Sequence, residues 1–205
     1  MIGIVDYGLG NVKAFSNVYN ELNIPSVIIK NSSHLKGVSK IVLPGVGAFD
    51  HAMHKLEASG MQQALSERVV DHEMPVLGIC VGMQMLANSS EEGGLPGLGW
   101  LDAEVKRFRS YSADCAMQIP HMGWNDIRPM KPNALLKGIE SNSRFYFLHS
   151  YYFESHSNDD VLAITDYYGE FASAVNSNNV FGVQFHPEKS HQWGIQLLKN
   201  FANMK

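Results

Sequence analysis

Cys80 stands in the stretch Pro75-Val-Leu-Gly-Ile-Cys80-Val-Gly-Met-Gln84, with Gly78 and Gly82 placed symmetrically about it. A Gly-x-nucleophile-x-Gly turn between a strand and a helix holds its central residue on a sharp, strained bend, and the glycines leave room where the two elements pack closely. The thiol would then stand at the carboxyl end of a sheet, beside the positive end of a helix, where a thiolate is favoured. Taken alone, a cysteine at a strand end is equally well a small buried hydrophobe.

A nucleophilic thiol needs a base, and the base needs a group to orient it. Among nine histidines, His34, His51, His54, His72 and His156 lie in polar or amphipathic surroundings and read as exposed. His186 differs: it ends the apolar run Val180-Phe-Gly-Val-Gln-Phe185, and Pro187 turns the chain out of the strand there. Glu188 follows close enough to reach the imidazole across that bend and hold its tautomer. The two glycines of Pro44-Gly-Val-Gly47, directly after another strand, can free backbone N–H groups to face an oxyanion. A plain tight turn explains them as well. Together these groups describe acyl transfer to a thiol. Cys80 attacks a carbonyl, His186 takes the thiol proton and delivers it to the leaving amine, and Glu188 orients His186. Donors near Gly45, Val46, Gly47 and Val81 steady the oxyanion.

The elements that must position these residues read as follows. Residues 2–5 form a strand, and Val12, Phe15, Val18, Tyr19 and Leu22 fall on one face of a helix that Asn11 caps. Gly8 and Gly10 do not complete a dinucleotide fingerprint, because position 13 is Lys. Strands follow over 27–29 and 40–43, helices over 48–56 and 61–72, a strand from Pro75 to Cys80, and a helix over 81–87. That order predicts a parallel sheet between helices, with ligands bound outside the carboxyl ends of the strands. Beyond the breaker-rich loop 89–99, short alternating segments at 101–108, 124–127, 144–148, 161–165, 171–175 and 180–185 predict an antiparallel addition plus the last strands of the main sheet. A helix over 192–202 closes the chain, with Leu197, Leu198 and Phe201 inward and Lys199 outward. The expectation is an α/β fold, a flavodoxin-like three-layer sandwich with a mostly parallel central sheet and a small antiparallel addition, formed as a single domain over 1–205.

The 205 residues suffice for one well-buried domain. With 16 basic against 20 acidic residues the net charge is −4, which argues against a nucleic-acid binder relying on a basic surface. No apolar run reaches the length of a membrane span, and the first residues read as a strand and not a signal peptide, so a cytoplasmic protein is expected. Cys80 and Cys115 are the two cysteines, and neither belongs to a Cys-x-x-Cys pair or a His/Cys cluster of zinc spacing. No metal, cofactor or structural disulfide is expected, and Cys115 reads as incidental.

Three stretches, Pro44-Gly-Val-Gly-Ala-Phe49, Gly78-Ile-Cys-Val-Gly-Met-Gln84 and Phe185-His-Pro-Glu-Lys-Ser190, together resemble class I glutamine amidotransferases. Pro120-His-Met-Gly-Trp-Asn125 and Tyr146-Phe-Leu-His-Ser-Tyr-Tyr152 narrow the resemblance to the glutaminase subunits of imidazole glycerol phosphate synthases, and it runs from Asp6-Tyr-Gly-Leu-Gly-Asn11 to the final helix. The resemblance implies hydrolysis of L-glutamine through a glutamyl thioester. It also implies passage of ammonia to a separate (β/α)8-barrel cyclase subunit, giving imidazole glycerol phosphate and an aminoimidazole carboxamide ribotide in histidine biosynthesis. By the same resemblance Gln84, Glu92, His149, Ser150 and Tyr151 would surround the glutamine, with Glu92 suited to its ammonium group, while Trp124, Tyr146 and Lys189 would face the partner. From the residues alone, Trp124 and Tyr146 read equally as core aromatics. Val81, Phe49-Asp50-His51, Gly99-Trp100 and the polar stretch 109–118 depart from the commoner family wording. They leave room for a paralogue feeding ammonia to a cyclase-like partner in surface-sugar synthesis.

Overall fold

The computed structural model describes residues 1–109, 117–141 and 143–204, and Cys115 lies outside the described residues. β1 (Ile2–Val5) is buried along its whole length, as a strand covered on both faces must be. Asn11 caps α1 (Val12–Glu21) by accepting from the Ala14 N–H at 3.3 Å, and Val12, Phe15 and Tyr19 turn inward. β2 (Ser26–Ile29) and β3 (Lys40–Gly45) follow. β3 continues past the expected end at Leu43, because Pro44 and Gly45 stay in register with Ile79 and Cys80 of the neighbouring strand.

α2 (Phe49–Ala58) covers the sheet, but the single helix expected over 61–72 is not formed. A short α3 (Gln62–Ser66) runs instead into a wide π-type turn over Glu67–Asp71. His72 closes that turn with its backbone N–H and its ring Nδ1, 3.2 and 3.0 Å from the Glu67 carbonyl. Asn179 Nδ2 donates to Val69 O at 2.8 Å, drawing off a carbonyl that a regular helix would use. β4 (Val76–Cys80) is fully buried and leads into α4 (Val81–Gln84). The helix expected to reach residue 87 stops there, because backbone N–H groups of Leu98, Trp100 and Gly99 take the carbonyls of Met85, Leu86 and Ala87.

The second half holds β5 (Ser89–Ser90), β6 (Ala103–Arg107), β7 (His121–Asp126), β8 (Arg128–Pro129), β9 (Arg144–His149), β10 (Tyr151–Ser155), β11 (Val161–Asp166), β12 (Glu170–Ser177), β13 (Val180–Val183) and α5 (His191–Asn203). β13 ends before the expected Phe185 because the chain then leaves its neighbour: Gln184 N–H still bonds Ser173 O of β12, but His186 N–H bonds Tyr146 O of β9 at 2.8 Å.

The main sheet runs β2-β1-β3-β4-β13-β12-β10-β6-β5, with β11 and β8 attached through β12. Its first five strands are parallel in the flavodoxin-like order, and β13, β12, β10 and β6 pair antiparallel. β7 and β9 form a separate antiparallel pair. A contiguous core including Phe15, Phe49, Phe145, Phe147, Phe153, Phe185 and Phe201 fills the interior. Because β4 and β13 are parallel neighbours, the segments after them emerge together on one edge.

Candidate active site

The elbow at Cys80 is forced by contacts between backbones. A Cβ on Gly82 would stand 2.0 Å from Leu43 O, one on Gly45 2.3 Å from Gly82 N, and one on Gly78 2.7 Å from Gly82 O. Only glycine lets β3, β4 and α4 approach this closely. Cys80 itself takes φ 55° and ψ −113°, a region that a side chain normally avoids. Tyr7 secures the adjoining strand end, its buried hydroxyl donating to Pro44 O at 2.8 Å. Burial, aided by the charge of Cys80, pushes that phenol above its usual range. A Cβ at Gly10 would meet Pro44 Cβ at 2.8 Å, so that glycine serves the same close packing.

His186 reaches the elbow from the next strand. Its backbone carbonyl accepts from Ser190 Oγ at 2.6 Å, and that hydroxyl also accepts from Tyr146 N–H at 3.0 Å, which ties the segment to β9. His186 Nδ1 lies 2.8 Å from Glu188 Oε1, with the two side chains 4% and 3% exposed. The imidazole and Cys80 line the same cavity wall, and Cys80 favours the protonated ring. Burial is the largest single influence and disfavours the cation, yet Cys80 and Glu188 together outweigh it and raise His186 to about 10. A protonated imidazole beside the sulfur is the partner a thiolate nucleophile requires. Around Sγ, Gln184 Nε2 and Leu148 O each stand at 3.8 Å.

A cavity of about 340 Å³ opens at this point. Cys80, Val81, His186, Val46, Gly47, Gln84, Glu92, His149, Ser150, Tyr151 and Lys189 line it, together with Pro120 and Leu148. Gly45 and Glu188 sit behind the wall, against the elbow and His186 respectively. Gln84 Nε2 donates to Tyr151 O and to Gln184 Oε1, both at 3.0 Å, so its own Oε1 is the acceptor left for the cavity. Glu92 accepts from the Phe49 N–H at 2.8 Å. Burial raises its pKa, partly offset by that bond. An acceptor of this kind suits an ammonium group. Among the described residues no cluster of three His, Cys, Asp or Glu could hold a metal ion, and no helix is long and apolar enough to cross a membrane.

Residues 3–204 match the family described as Glutamine amidotransferase class-I. The chain belongs to the class I glutamine amidotransferases. An imidazole glycerol phosphate synthase subunit HisH from Bdellovibrio bacteriovorus is 55% identical over 204 residues, covering 100% of both chains. The subunit of the same name from Leptospira borgpetersenii is 52% identical, again over 100% of both. The crystal structure of a glutamine amidotransferase shares the fold, with a TM-score of 0.74 at 20% identity over 99% of each chain.

In this amidotransferase Trp124 and Tyr146 are not core aromatics. They oppose each other in the β7–β9 register and face outward, Trp124 being 40% exposed. Lys189 Nζ lies 5.5 Å from the Tyr146 ring centre, and Trp124 stacks on His191 at 5.1 Å. Exposed Met122 and Leu148 lie on the same strand pair, and exposed Val46 lines the cavity. Sequence reasoning passed over several residues that shape the site. Asp50 accepts from Gly94 N–H at 2.9 Å and Leu95 N–H at 3.1 Å, which clamps the loop carrying Glu92 and holds its own carboxyl below the usual range. Gln184, two residues before His186, carried a readable signal, because extended chain puts alternate side chains on one side. His121 carried none on its own.

Proposed function

We propose that this amidotransferase hydrolyses L-glutamine at the Cys80 cavity and delivers the ammonia to a separate (β/α)8-barrel cyclase subunit in the histidine pathway, in the cytoplasm. One observation carries the reading: Cys80 and His186 line the same cavity wall, Glu188 is hydrogen-bonded to His186 from behind it, and the cavity also offers Glu92 and the Gln84 side-chain carbonyl. Glu92 takes the α-ammonium, and the Gln84 Oε1 accepts from the carboxamide N–H. The Cys80 thiolate adds to the carboxamide carbon, and the resulting oxyanion is met by N–H groups of the 45–47 turn and Val81. His186, held by Glu188, gives its proton to the leaving nitrogen, so the C–N bond breaks and ammonia departs from a glutamyl thioester. Water then attacks the thioester with His186 as base, releasing glutamate and restoring the thiolate–imidazolium pair.

Membership of the histidine pathway follows from the full-length likeness to proteins named as HisH subunits of imidazole glycerol phosphate synthase. The outward cluster of Trp124, Tyr146, Lys189, Met122 and Leu148 at the cavity mouth is the surface to which the cyclase would dock, its aromatic and cationic groups being the types that anchor interfaces. The test supplies amide-¹⁵N glutamine to the protein together with a cyclase subunit and its phosphoribulosyl-aminoimidazole-carboxamide substrate. The expected result is ¹⁵N in imidazole glycerol phosphate even with excess unlabelled ammonia in solution. Label appearing only in free ammonia would refute the delivery.

A further inference from the structure

A buried pair of imidazoles joins the outer strand pair to the cavity wall. β7 and β9 bring His121 opposite His149, both nearly sealed from solvent, with His121 Nδ1 2.9 Å from His149 Nε2. His149 Nδ1 stands 2.8 Å from Tyr151 O, and a carbonyl can only accept. That contact fixes the proton on Nδ1 of His149, leaves its Nε2 as an acceptor, and requires His121 to donate from its own Nδ1. His121 Nε2 is then bare and receives Asn125 Nδ2 at 3.3 Å. Burial keeps both rings neutral, lowering His121 to about 4 and His149 to about 3.

The pair shares its carbonyl acceptor with the residues that lead to the nucleophile, two donors converging on Tyr151 O. Tyr151 O accepts also from Gln84 Nε2, Gln84 donates onward to Gln184 Oε1, and Gln184 Nε2 points at Cys80 Sγ. Reversing any member would set two donors or two acceptors face to face. Packing cannot explain the pair by itself: the His121 ring is sandwiched between Phe147 at 4.6 Å and Tyr167 at 4.0 Å, where phenylalanine would stack as well.

We propose that His121 is a positioning residue whose Nδ1–H holds the His149 ring against the Tyr151 carbonyl, and so fixes the place of the acceptor that anchors the Gln84 amide nitrogen and leaves its oxygen toward the glutamine carboxamide. The proposal rests on the glutaminase reading for its purpose, but the hydrogen bond itself does not depend on that reading. Because the chain borders the binding wall, its loss should fall on KM more than on kcat.

The test compares the parent with His121→Phe, which keeps the stack and removes the donor, and with His121→Asn, whose amide nitrogen stands near the place of Nδ1. Glutaminase is assayed with the cyclase subunit present. His121→Phe should raise KM for glutamine about tenfold with kcat changed less than about threefold, as one lost buried hydrogen bond predicts, and His121→Asn should recover most of the loss. In ¹⁵N-labelled parent, a nitrogen–nitrogen coupling across the hydrogen bond should link His121 Nδ1 to His149 Nε2, a readout that needs no variant to fold and no substrate. An active parent without that coupling, or His121→Phe with unchanged KM, overturns the positioning role. A coupled parent that hydrolyses no glutamine overturns the glutaminase reading instead.

Discussion

Replacing Gly82 with Ala tests whether the elbow is built by backbone contact. The added Cβ would sit 2.0 Å from Leu43 O and 3.0 Å from Leu43 C, against an ordinary contact of about 3.4 Å or more. The obstacle is strand backbone in the middle of a fully buried sheet, so β3 and α4 must separate by more than about 1 Å. Overpacking of a core costs about 1–3 kcal/mol, and a rigid obstacle puts this site at the upper end. For a chain of this size that lowers the melting temperature by about 5–10 °C. The displaced strand leads directly into the 45–47 turn, and a shift of about 1 Å in positioned groups costs about 10²-fold in rate. Gly94→Ala is the control: nothing lies within 4 Å of its Cβ, and its N–H to Asp50 survives, so melting should move by no more than about 1–2 °C. The assay is differential scanning calorimetry alongside glutamine turnover with the cyclase present. Gly82→Ala melting with the parent and turning over glutamine at the parental rate would refute the argument.

Three further outcomes follow from the same geometry. Glu188→Gln removes a charge that helps hold His186 at about 10, so the alkaline limb of the kcat/KM profile should move down by at least about one pH unit, equivalent to ~1.4 kcal/mol, with kcat reduced about 10²-fold or more; an unmoved limb contradicts the pairing. Asp50→Ala releases Gly94 and Leu95 and loosens the loop bearing Glu92, so KM for glutamine should rise about tenfold, and an unchanged KM would remove the clamp. His121 and His149 have folded pKa values below the unfolded value of about 6.5, so the unfolded chain binds protons the folded one does not, and stability falls as pH drops from about 6.5 toward 4. His186 has the opposite sign, its contribution being complete below about 6.5 and lost as pH rises toward 10. Urea midpoints should therefore peak near neutrality, and His121→Asn should flatten the acid side by up to about one proton; equal acid slopes would mean His121 is not held neutral.

What the sequence discloses depends on how local the cause is. The Cys80 elbow is legible because the packing that demands glycine acts two residues either side of the sulfur. The turn at His186 is legible because Pro187, the next residue, bends the chain there, and the Asn11 cap because its partner is three residues away. The sequence is silent where the partner is distant and set by register: His121 meets His149 across 28 positions, and Asp50 meets Gly94 across 44. The sequence predicts a strand over 144–148 and none directly after it, whereas in the structure Ser150 separates β9, paired with β7, from β10, paired with β6. Trp124 was ambiguous between core and surface. Alternation resolves it once β7 is known to begin at His121, since His121, Gly123 and Asn125 then turn inward and Met122, Trp124 and Asp126 outward. The break in the 61–72 helix has its cause in Asn179, more than a hundred residues away, and no local pattern announces it.

The most direct test of the central claim is to mix the protein and a cyclase subunit with glutamine, quench in acid within one turnover, and map adducts by mass spectrometry. A glutamyl group on the peptide carrying Cys80, absent from Cys80→Ala and also absent from His186→Ala, which lacks the proton donor for the leaving nitrogen, is the predicted result. Glutamate formed at the parental rate by Cys80→Ala, with no adduct on any cysteine of the parent, would contradict it.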